Sequence, residues 1–247
     1  MKRLDVALVE RGLCASREQA RLAVMAGRIR INERPARKAS DSVHDSDALA
    51  LTGAERFVSR GGHKLEHALE HFQLEVAGCT AIDLGASTGG FTDCLLQRGA
   101  ARVHSVDVGH GQLAWKLRQD PRVVVMEKTN ARALTSAAFP PPFAPVEIIV
   151  IDCSFISLRK ILPPAVALLK AAGKLVALIK PQFEAGKAEA DKGAGVITDP
   201  AVHARVLNEL HAFAARLPGI QWSGFIESPL LGPAGNKEFL ALLEKDR

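Results

Sequence analysis

Short apolar runs alternate with segments of helical spacing along most of this chain. The apolar runs are rich in Val, Ile and Leu, as expected for strands buried on both faces of a sheet, and they cover residues 81–84, 103–108, 123–127, 147–152, 175–180, 220–227 and 239–243. Helical spacing covers residues 63–72, 157–171 and 200–217. This alternation predicts a doubly wound α/β domain with a seven-stranded sheet.

The N-terminal residues follow a different pattern of short helices and strands. Helical spacing covers 4–11 and 17–26, and strand-like runs cover 28–31 and 48–51. Ser16 and Gln19 have the spacing of a capping box, and Gly27 is well suited to end the second helix. We therefore expect a small α+β domain over residues 1–54, a flexible linker over 55–62 and the α/β domain over 63–247.

Composition narrows the class of protein. The 247 residues suffice for one domain of ordinary size and one small domain. No apolar run reaches the roughly 18 residues that span a bilayer, and the basic N-terminus leads into no signal-peptide core. The four cysteines have no C-x-x-C spacing. Reduced, mostly buried thiols in a cytoplasmic protein are the expectation.

Positive charge is concentrated at the N-terminus. Residues 1–40 contain ten Lys or Arg and four Asp or Glu, whereas the rest of the chain is close to neutral. A patch of this kind, rich in arginine, favours a phosphate-bearing partner. The module resembles the alpha-L RNA-binding domain of small-subunit ribosomal protein four. The predicted RNA-binding residues are Arg3, Arg17, Arg21, Arg28, Arg30, Arg34, Arg37, Lys38 and Arg60.

A glycine-rich turn follows the first strand of the α/β domain. Asp83 stands two residues before Gly85, and Asp107 ends the next strand. Ligands bind at the carboxyl ends of such strands, where glycines allow close approach and an acid can bind ribose hydroxyls. Ser87 replaces the second glycine of a dinucleotide fingerprint, and Asp83 suits a cation better than a diphosphate. Asp-x-Gly-x-x-x-Gly resembles the first motif of S-adenosylmethionine-dependent methyltransferases.

Two other motifs overlap this part of the chain. Residues 85–89 match G-x-S-x-G, the nucleophile elbow of α/β-hydrolases, with His203 or His211 as an imaginable base. The elbow leaves Asp83 and Asp107 unexplained. Residues 63–67 and 67–71 match H-x-x-E-H, a zinc-protease pattern, but the polar face of one amphipathic helix is the preferred interpretation, because no further ligand cluster follows. We expect no metal site.

Two charged residues end neighbouring predicted strands. Asp152 follows Ile149-Val150-Ile151, and Lys180 follows the very apolar run 175–179. Methylation of a ribose hydroxyl needs a general base, and lysine serves as one when burial or a second cation lowers its pKa. Taken alone, each residue has a purely structural explanation. Asp152 would cap the following helix, and Lys180 would mark the end of its strand. Together, above a cofactor turn, they favour catalysis.

Five sequence blocks carry a family resemblance, and they cover residues 58–62, 83–92, 151–158, 179–184 and 232–239. They resemble the TlyA family, whose members are known both as haemolysins and as ribosomal RNA 2′-O-methyltransferases with an FtsJ-like catalytic domain. The resemblance implies a Lys-Asp-Lys-Glu tetrad at Lys64, Asp152, Lys180 and Glu238. It implies Lys180 as the base, Asp152 near the methyl group and target ribose, and Lys64 and Glu238 as residues that hold and tune Lys180.

The resemblance also implies a cofactor and a substrate. The cofactor is S-adenosyl-L-methionine, and the partners are ribosomal RNA and ribosomal subunits, with cytidine ribose methylated. The predicted cofactor-binding residues are Asp83, Gly85, Ser87, Thr88, Gly89, Gly90, Phe91, Asp107, Val108, Asn130 and Asp152. Two alternatives stay open: a non-catalytic RNA-binding protein, and a membrane-lytic haemolysin, for which no lytic segment is visible.

Overall fold

The chain divides into two units, Met1–Ser59 and Arg60–Arg247. The computed structural model describes residues 1–25, 27–53, 56–186, 189, 193 and 195–247. The predicted domain boundary at residue 54 and the first linker residue, Glu55, lie outside the described residues.

The N-terminal unit is a small α+β fold, as its sequence pattern predicts. Its elements are β1 (Lys2–Arg3), α1 (Leu4–Glu10), α2 (Arg17–Met25), β2 (Ile29–Ile31), β3 (Arg34–Pro35), β4 (Ser42–Val43) and β5 (Leu49–Leu51). Strand β2 pairs with β3 and β5, and β1 pairs with β4, all antiparallel. The Ser16 hydroxyl accepts a hydrogen bond from the Gln19 amide at 3.2 Å, as the capping box requires. The predicted last helical residue, Ala26, is not among the described residues.

Helices α1 and α2 form the core of this unit by packing their apolar faces together. The fully or nearly fully buried side chains are Leu4, Ala7, Leu8, Ala20, Ala23, Val24, Ile29 and Val43. Their helical members recur three or four residues apart, which places them on one side of each helix. The two arginines of α2, Arg17 and Arg21, are consequently left at the surface.

The larger unit is an α/β fold. Its elements are α3 (Gly61–His71), β6 (Thr80–Leu84), α4 (Gly90–Gln97), β7 (Arg102–Val106), α5 (Trp115–Arg118), β8 (Val123–Met126), β9 (Val146–Ile151), α6 (Leu162–Leu168), β10 (Leu169–Ile179), α7 (Pro181–Glu184), α8 (Pro200–Ala214), β11 (Ile220–Glu227) and β12 (Phe239–Lys245). Short 3₁₀ turns cover Ala131–Ala133, Ser136–Ala138 and Leu158–Lys160. The predicted seven strands are all present.

The seven strands form one mixed sheet in the order β11-β12-β10-β9-β6-β7-β8. Strands β6 to β10 are parallel, and β12 runs antiparallel between β10 and β11. The order reverses at β6, where β7 lies on one side and β9 on the other. In open α/β sheets such a point forms a crevice at the carboxyl ends of the strands. Asp83, Asp107, Asp152 and Lys180 all lie at those ends.

Several predicted boundaries in this unit are wrong. The helix predicted over 157–171 is a 3₁₀ turn followed by α6, and β10 already begins at Leu169. Pro163 and Pro164 occupy the first positions of α6, because a proline lacks the N–H that a helix interior needs. Helix α3 begins at Gly61, two residues earlier than predicted, so the end of the predicted linker is helical.

Candidate active site

The turn between β6 and α4 is formed by two glycines with positive φ angles. Gly85 has φ +87°, and a Cβ at this position would lie 2.8 Å from the carbonyl oxygen of Asp152. Gly89 has φ +95°, and a Cβ there would meet the Leu117 side chain. A side chain at Gly85 would clash with backbone atoms, and a side chain at either position would have to adopt a strained backbone conformation. Gly85 thus allows the turn to pack directly against the loop that carries Asp152, and Gly89 allows it to pack against Leu117.

Asp83 is fully buried beneath this turn. Its Oδ2 accepts a hydrogen bond from the Thr92 hydroxyl at 2.7 Å, while Oδ1 has no hydrogen-bond partner among the described residues. Burial raises the pKa of Asp83 to about 7, and the nearby charges of Asp152 and Asp107 add to the rise. A cation placed beside this carboxyl group would favour its ionised form.

Asp107 connects the glycine-rich turn to the loop that follows β7. Its Oδ2 accepts a hydrogen bond from the Ser87 amide at 2.8 Å, and its Oδ1 accepts one from the Gly109 amide at 2.7 Å. Ser87 has φ +48°, and its hydroxyl lies 3.4 Å from Gln112 Oε1. Asp107 is half-buried. Each carboxylate oxygen can accept a further hydrogen bond, for example from a ribose hydroxyl.

The other predicted cofactor residues fall into two groups. Thr88, Val108 and Asn130 are exposed, whereas Gly90 and Phe91 are buried in the first turn of α4. Phe91 could face a ligand only through its backbone, because its side chain is 2% exposed. The Asn130 side chain accepts a hydrogen bond from the Arg132 amide at 3.0 Å and so caps a 3₁₀ turn.

Lys180 and Asp152 form an ion pair at the ends of β10 and β9. Lys180 Nζ lies 2.6 Å from Asp152 Oδ1, and it donates a hydrogen bond to the Ser154 hydroxyl at 2.8 Å. The carbonyl oxygen of Asp152 is a third acceptor at 3.4 Å. Lys180 is 9% exposed, whereas Ser154 is exposed. The amine is therefore held by three oxygens at the edge of the protein interior.

A second ion pair joins α3 to the start of β12. Lys64 Nζ donates a hydrogen bond to Glu238 Oε2, and both side chains are buried. Gly232 packs closely on the other carboxylate oxygen, because a Cβ at Gly232 would lie 2.5 Å from Glu238 Oε1. The pair is therefore fixed from two sides.

The sheet register brings the two ion pairs together. Ile179 of β10 pairs with Phe239 of β12 in antiparallel register. Lys180 and Glu238 are the next residues on each strand, so they face each other across the two strand ends. On the other side of β10, Ala177 pairs with Ile151, the residue before Asp152. All four members of the predicted tetrad thus lie at one edge of the sheet.

The loop after Asp152 also presents an aromatic side chain. Phe155 is 91% exposed and has φ +63°, a conformation rarely adopted by bulky residues. Its ring centroid lies 5.1 Å from that of Phe183 in α7. The intervening Cys153 is not a reactive thiol, because burial raises its pKa to about 12.

The contacts of Ser87 disagree with a hydrolase elbow. The two histidines proposed as its base have other neighbours: His203 Nε2 lies 3.0 Å from the Ile197 carbonyl oxygen, and the His211 ring packs beside Trp222. Within the described part of the chain, the Ser87 hydroxyl contacts Gln112 and no histidine. The G-x-S-x-G match is therefore accounted for by the glycine-rich turn.

The two glutamates of the H-x-x-E-H matches form ion pairs. Glu66 and Glu70 of α3 both bind the guanidinium of Arg98. Over the described residues, no group of three or more His, Cys, Asp or Glu side chains is placed to hold a metal ion.

The predicted RNA-binding side chains of the N-terminal unit form an exposed basic surface. Those exposed are Arg3, Arg17, Arg21, Arg30, Arg34, Arg37 and Lys38, and Arg28 is half-buried. Arg60 is also exposed and lies in the larger unit, at the N-terminus of α3. Arg17 and Arg21 are exposed because α2 packs against α1 through its apolar face.

Three residues of the site escaped the sequence analysis. Thr92 binds Asp83, Ser154 binds Lys180, and Gln112 contacts Ser87. Thr92 and Ser154 lie inside conspicuous motifs, where a hydroxyl near a charged strand end is a usable signal. Gln112 follows an irregular loop, and nothing in the sequence distinguishes it.

Comparison with known proteins decides the family. The sequence profile of FtsJ-like methyltransferases matches residues 57–245, and that of the S4 domain matches residues 2–49. The chain is 49% identical over 245 residues to the 16S/23S rRNA (cytidine-2′-O)-methyltransferase TlyA of Mycobacterium tuberculosis, covering 98% of this chain and 89% of that protein. The chain belongs to the TlyA family. Its larger unit is thus an FtsJ-like methyltransferase domain, and its N-terminal unit is an S4 domain.

Other similar members of the TlyA family carry a different name. Hemolysin A of Brachyspira hyodysenteriae is 39% identical over 244 residues, covering 97% of this chain and 98% of that protein. The solved structure of a candidate hemolysin from Streptococcus thermophilus is 45% identical, with a TM-score of 0.77, and covers 99% of this chain and 88% of that one. Among the described residues, no helix combines the length and apolar character needed to cross a membrane.

Proposed function

We propose that this protein transfers a methyl group from S-adenosylmethionine to the 2′-hydroxyl of a cytidine in ribosomal RNA. The observation that carries the proposal is the buried Lys180 amine, held by Asp152 and Ser154 beside the glycine-rich turn. The TlyA relative from Mycobacterium tuberculosis is named for this reaction.

The crevice fits a cationic, nucleoside-bearing cofactor. Asp83 offers a buried carboxylate oxygen without a partner among the described residues, and a sulfonium charge nearby would favour its ionised form. Gly85 and Gly89 allow the tight, positive-φ turn at the end of β6, and Asp107 offers acceptors for ribose hydroxyls. S-adenosylmethionine supplies an electrophilic methyl group on its sulfonium.

Lys180 acts as the general base in this proposal. In its neutral form, the amine would accept the proton of the 2′-hydroxyl as the ribose oxygen takes the methyl group that S-adenosylmethionine supplies, with the neutral thioether as the leaving group. Asp152 and Ser154 then hold the resulting ammonium with charge-assisted contacts. Lys64 and Glu238 fix the neighbouring strand end and supply a balanced pair of charges around the base.

Two features suit an RNA substrate. Proteins bind unstacked bases on exposed aromatic rings, and Phe155 presents such a ring one residue beyond Ser154. The S4 domain presents exposed arginines, which bind phosphates with paired N–H donors. We infer that the S4 domain binds folded ribosomal RNA within a ribosomal subunit, and that the protein works in the cytoplasm, where ribosomes are.

The test is transfer of a labelled methyl group from S-adenosylmethionine to purified, unmethylated ribosomal subunits. We expect the unaltered protein to label the RNA at a cytidine 2′-oxygen. Lys180→Ala should abolish labelling, while calorimetry shows that cofactor binding is retained. Lys174→Ala, which removes an exposed lysine of the same strand, is the matched control and should label normally.

If the unaltered protein labels neither ribosomal subunit, the proposal is contradicted. RNA binding without catalysis would then account for the S4 domain. Full activity of Lys180→Ala would instead contradict the role of Lys180 alone.

A further inference from the structure

A buried carboxylate lies beneath three arginines of the S4 domain. Asp5, the second residue of α1, has no exposed surface. It accepts hydrogen bonds from Arg3 Nε at 3.0 Å, Arg3 Nη2 at 3.1 Å and Arg17 Nη2 at 3.1 Å. Arg21 Nε lies 3.6 Å from the same carboxylate. One acid thus connects β1, α1 and α2 through their arginines.

The carboxylate is charged at neutral pH. Hydrogen bonds from Arg3 lower the pKa of Asp5 to about 2, with Arg17 contributing and burial opposing. One negative charge therefore faces three positive charges, and the cluster retains an excess of positive charge.

The arginines keep most of their donors for another ligand. Their side chains are 47%, 55% and 60% exposed for Arg3, Arg17 and Arg21, although each contacts Asp5. A guanidinium carries five N–H donors, and Asp5 takes at most two from any one of them. The remaining donors are available on the solvent side of three side chains whose positions are already fixed.

Fixing these side chains in advance has a consequence for binding. A free arginine loses much rotamer freedom when it binds a phosphate, and this loss weakens association. We propose that Asp5 is a positioning residue that orders Arg3, Arg17 and Arg21 for contact with RNA phosphates. This inference rests on the proposed function, because that function gives the S4 domain an RNA partner.

The positioning role and simple electrostatics predict opposite changes in RNA affinity when the charge of Asp5 is removed. Removing a negative charge from a basic surface should strengthen RNA binding if only net charge matters. If Asp5 orders the arginines, its removal weakens binding although the protein becomes more positive. The two accounts therefore differ in the direction of the effect.

The experiment compares Asp5→Asn with Glu33→Gln in the full chain. Both substitutions remove one negative charge from the S4 domain and keep the shape of the side chain. Glu33 is exposed in the turn between β2 and β3, and among the described residues the three arginines pair with Asp5 and not with Glu33. Binding to a fluorescently labelled ribosomal RNA hairpin is measured over a series of KCl concentrations.

We expect Asp5→Asn to bind about tenfold more weakly than the unaltered protein, and Glu33→Gln to bind equally or more tightly. Equal or tighter binding by Asp5→Asn would overturn the positioning role. If the unaltered protein binds RNA and Asp5→Asn binds as well as it does, only this inference is contradicted. If the unaltered protein does not bind RNA, the proposed function is contradicted as well.

A second measurement does not depend on the folding of a variant. In the free, unaltered protein, the Arg3 Nε–H should exchange with water slowly, since it donates to a buried carboxylate. The readout is the nitrogen-15 spectrum of the arginine side chains. Exchange as fast as in free arginine would show that the side chain is not ordered before RNA binds, and would overturn the proposal.

Discussion

Lys64 and Glu238 are 174 residues apart in sequence, yet their charged groups form a buried ion pair. The lysine lies in the first helix of the methyltransferase domain, and the glutamate lies immediately before its last strand. The pair joins the two ends of this domain next to Lys180, and each charge depends on the other for compensation.

Breaking this pair should destabilise the domain strongly. We expect Lys64→Met to lower the free energy of unfolding by about 3–5 kcal/mol, because the Glu238 charge would stay buried without a partner. Urea unfolding measures the change. Lys174→Met, which breaks the exposed pair with Glu244, is the control and should cost less than about 1 kcal/mol. Equal losses in both variants would show that the Lys64 pair is not buried in solution.

The glycine-rich turn should tolerate no side chain at Gly85. We expect Gly85→Ala to lower the free energy of unfolding by about 3 kcal/mol and to abolish cofactor binding, because strain at φ +87° is combined with a clash against the Asp152 carbonyl. The matched control is Gly111→Ala, which has φ +73° and open space around the new methyl group. It should cost about 1 kcal/mol from strain alone. Similar values for the two variants would argue against close packing at Gly85.

The charged residues at the strand ends of the site could be predicted from sequence, whereas the ion pair between Lys64 and Glu238 could not. A strand buried on both faces is a continuous apolar run, so the charged residues that end it, such as Asp152 and Lys180, are visible at once. No local pattern relates Lys64 to Glu238. Only the family resemblance brought them together, because their contact depends on the insertion of β12 beside β10.

The boundary between α6 and β10 shows a second limit. Residues 169–171 fit the helical spacing of the preceding segment but belong to the strand, where Leu169 pairs with Val146 before the register shifts. Pairing with a neighbouring strand outweighs local spacing there, and single-sequence patterns do not contain that information.

Asp83 should make stability depend on pH. Burial raises the pKa of Asp83 to about 7 from an unfolded value of 3.8, so the folded state binds the proton more tightly. The resulting stabilisation is complete below the unfolded pKa, and it is lost as the pH rises through the folded pKa. Relative to Asp83→Asn, the unaltered protein should lose about 4 kcal/mol of unfolding free energy between about pH 4 and about pH 8.

Chemical denaturation of both proteins without cofactor, at a series of pH values, measures this difference. Asp83→Asn is the reference because it cannot ionise, so the contributions of titrating groups that do not interact with Asp83 cancel. A constant difference across the range would mean that Asp83 keeps an ordinary pKa.

The Ser154 hydroxyl should contribute to kcat and not to the binding of S-adenosylmethionine. We expect Ser154→Ala to lower kcat about tenfold, because the Lys180 ammonium loses a hydrogen-bond acceptor at 2.8 Å. Steady-state kinetics with ribosomal subunits would show this with the KM for S-adenosylmethionine unchanged. The neighbouring Ser157→Ala removes a hydroxyl that binds Glu184, not Lys180, and serves as the control. The same loss of kcat in both would indicate a general disturbance of the loop.

Phe155 should contribute to RNA recognition. We expect Phe155→Ala to raise the KM for ribosomal subunits about tenfold, because one stacked base is worth about 1–3 kcal/mol, while cofactor affinity is unchanged. Phe155→Tyr retains the ring and should behave like the unaltered protein. If the alanine variant kept its KM, the exposed ring would not contact the substrate.

Strand β12 is inserted between two strands that precede it in sequence, and this arrangement bears on how the protein is made. Edge strand β11 is hydrogen-bonded to the sheet through β12, and Glu238 is positioned at the start of that strand. During synthesis, the sheet has a gap until this segment leaves the ribosome, and Lys64 is without its acid. A nascent chain that has every other strand therefore still has an incomplete tetrad, so catalytic competence would arise only when this segment emerges.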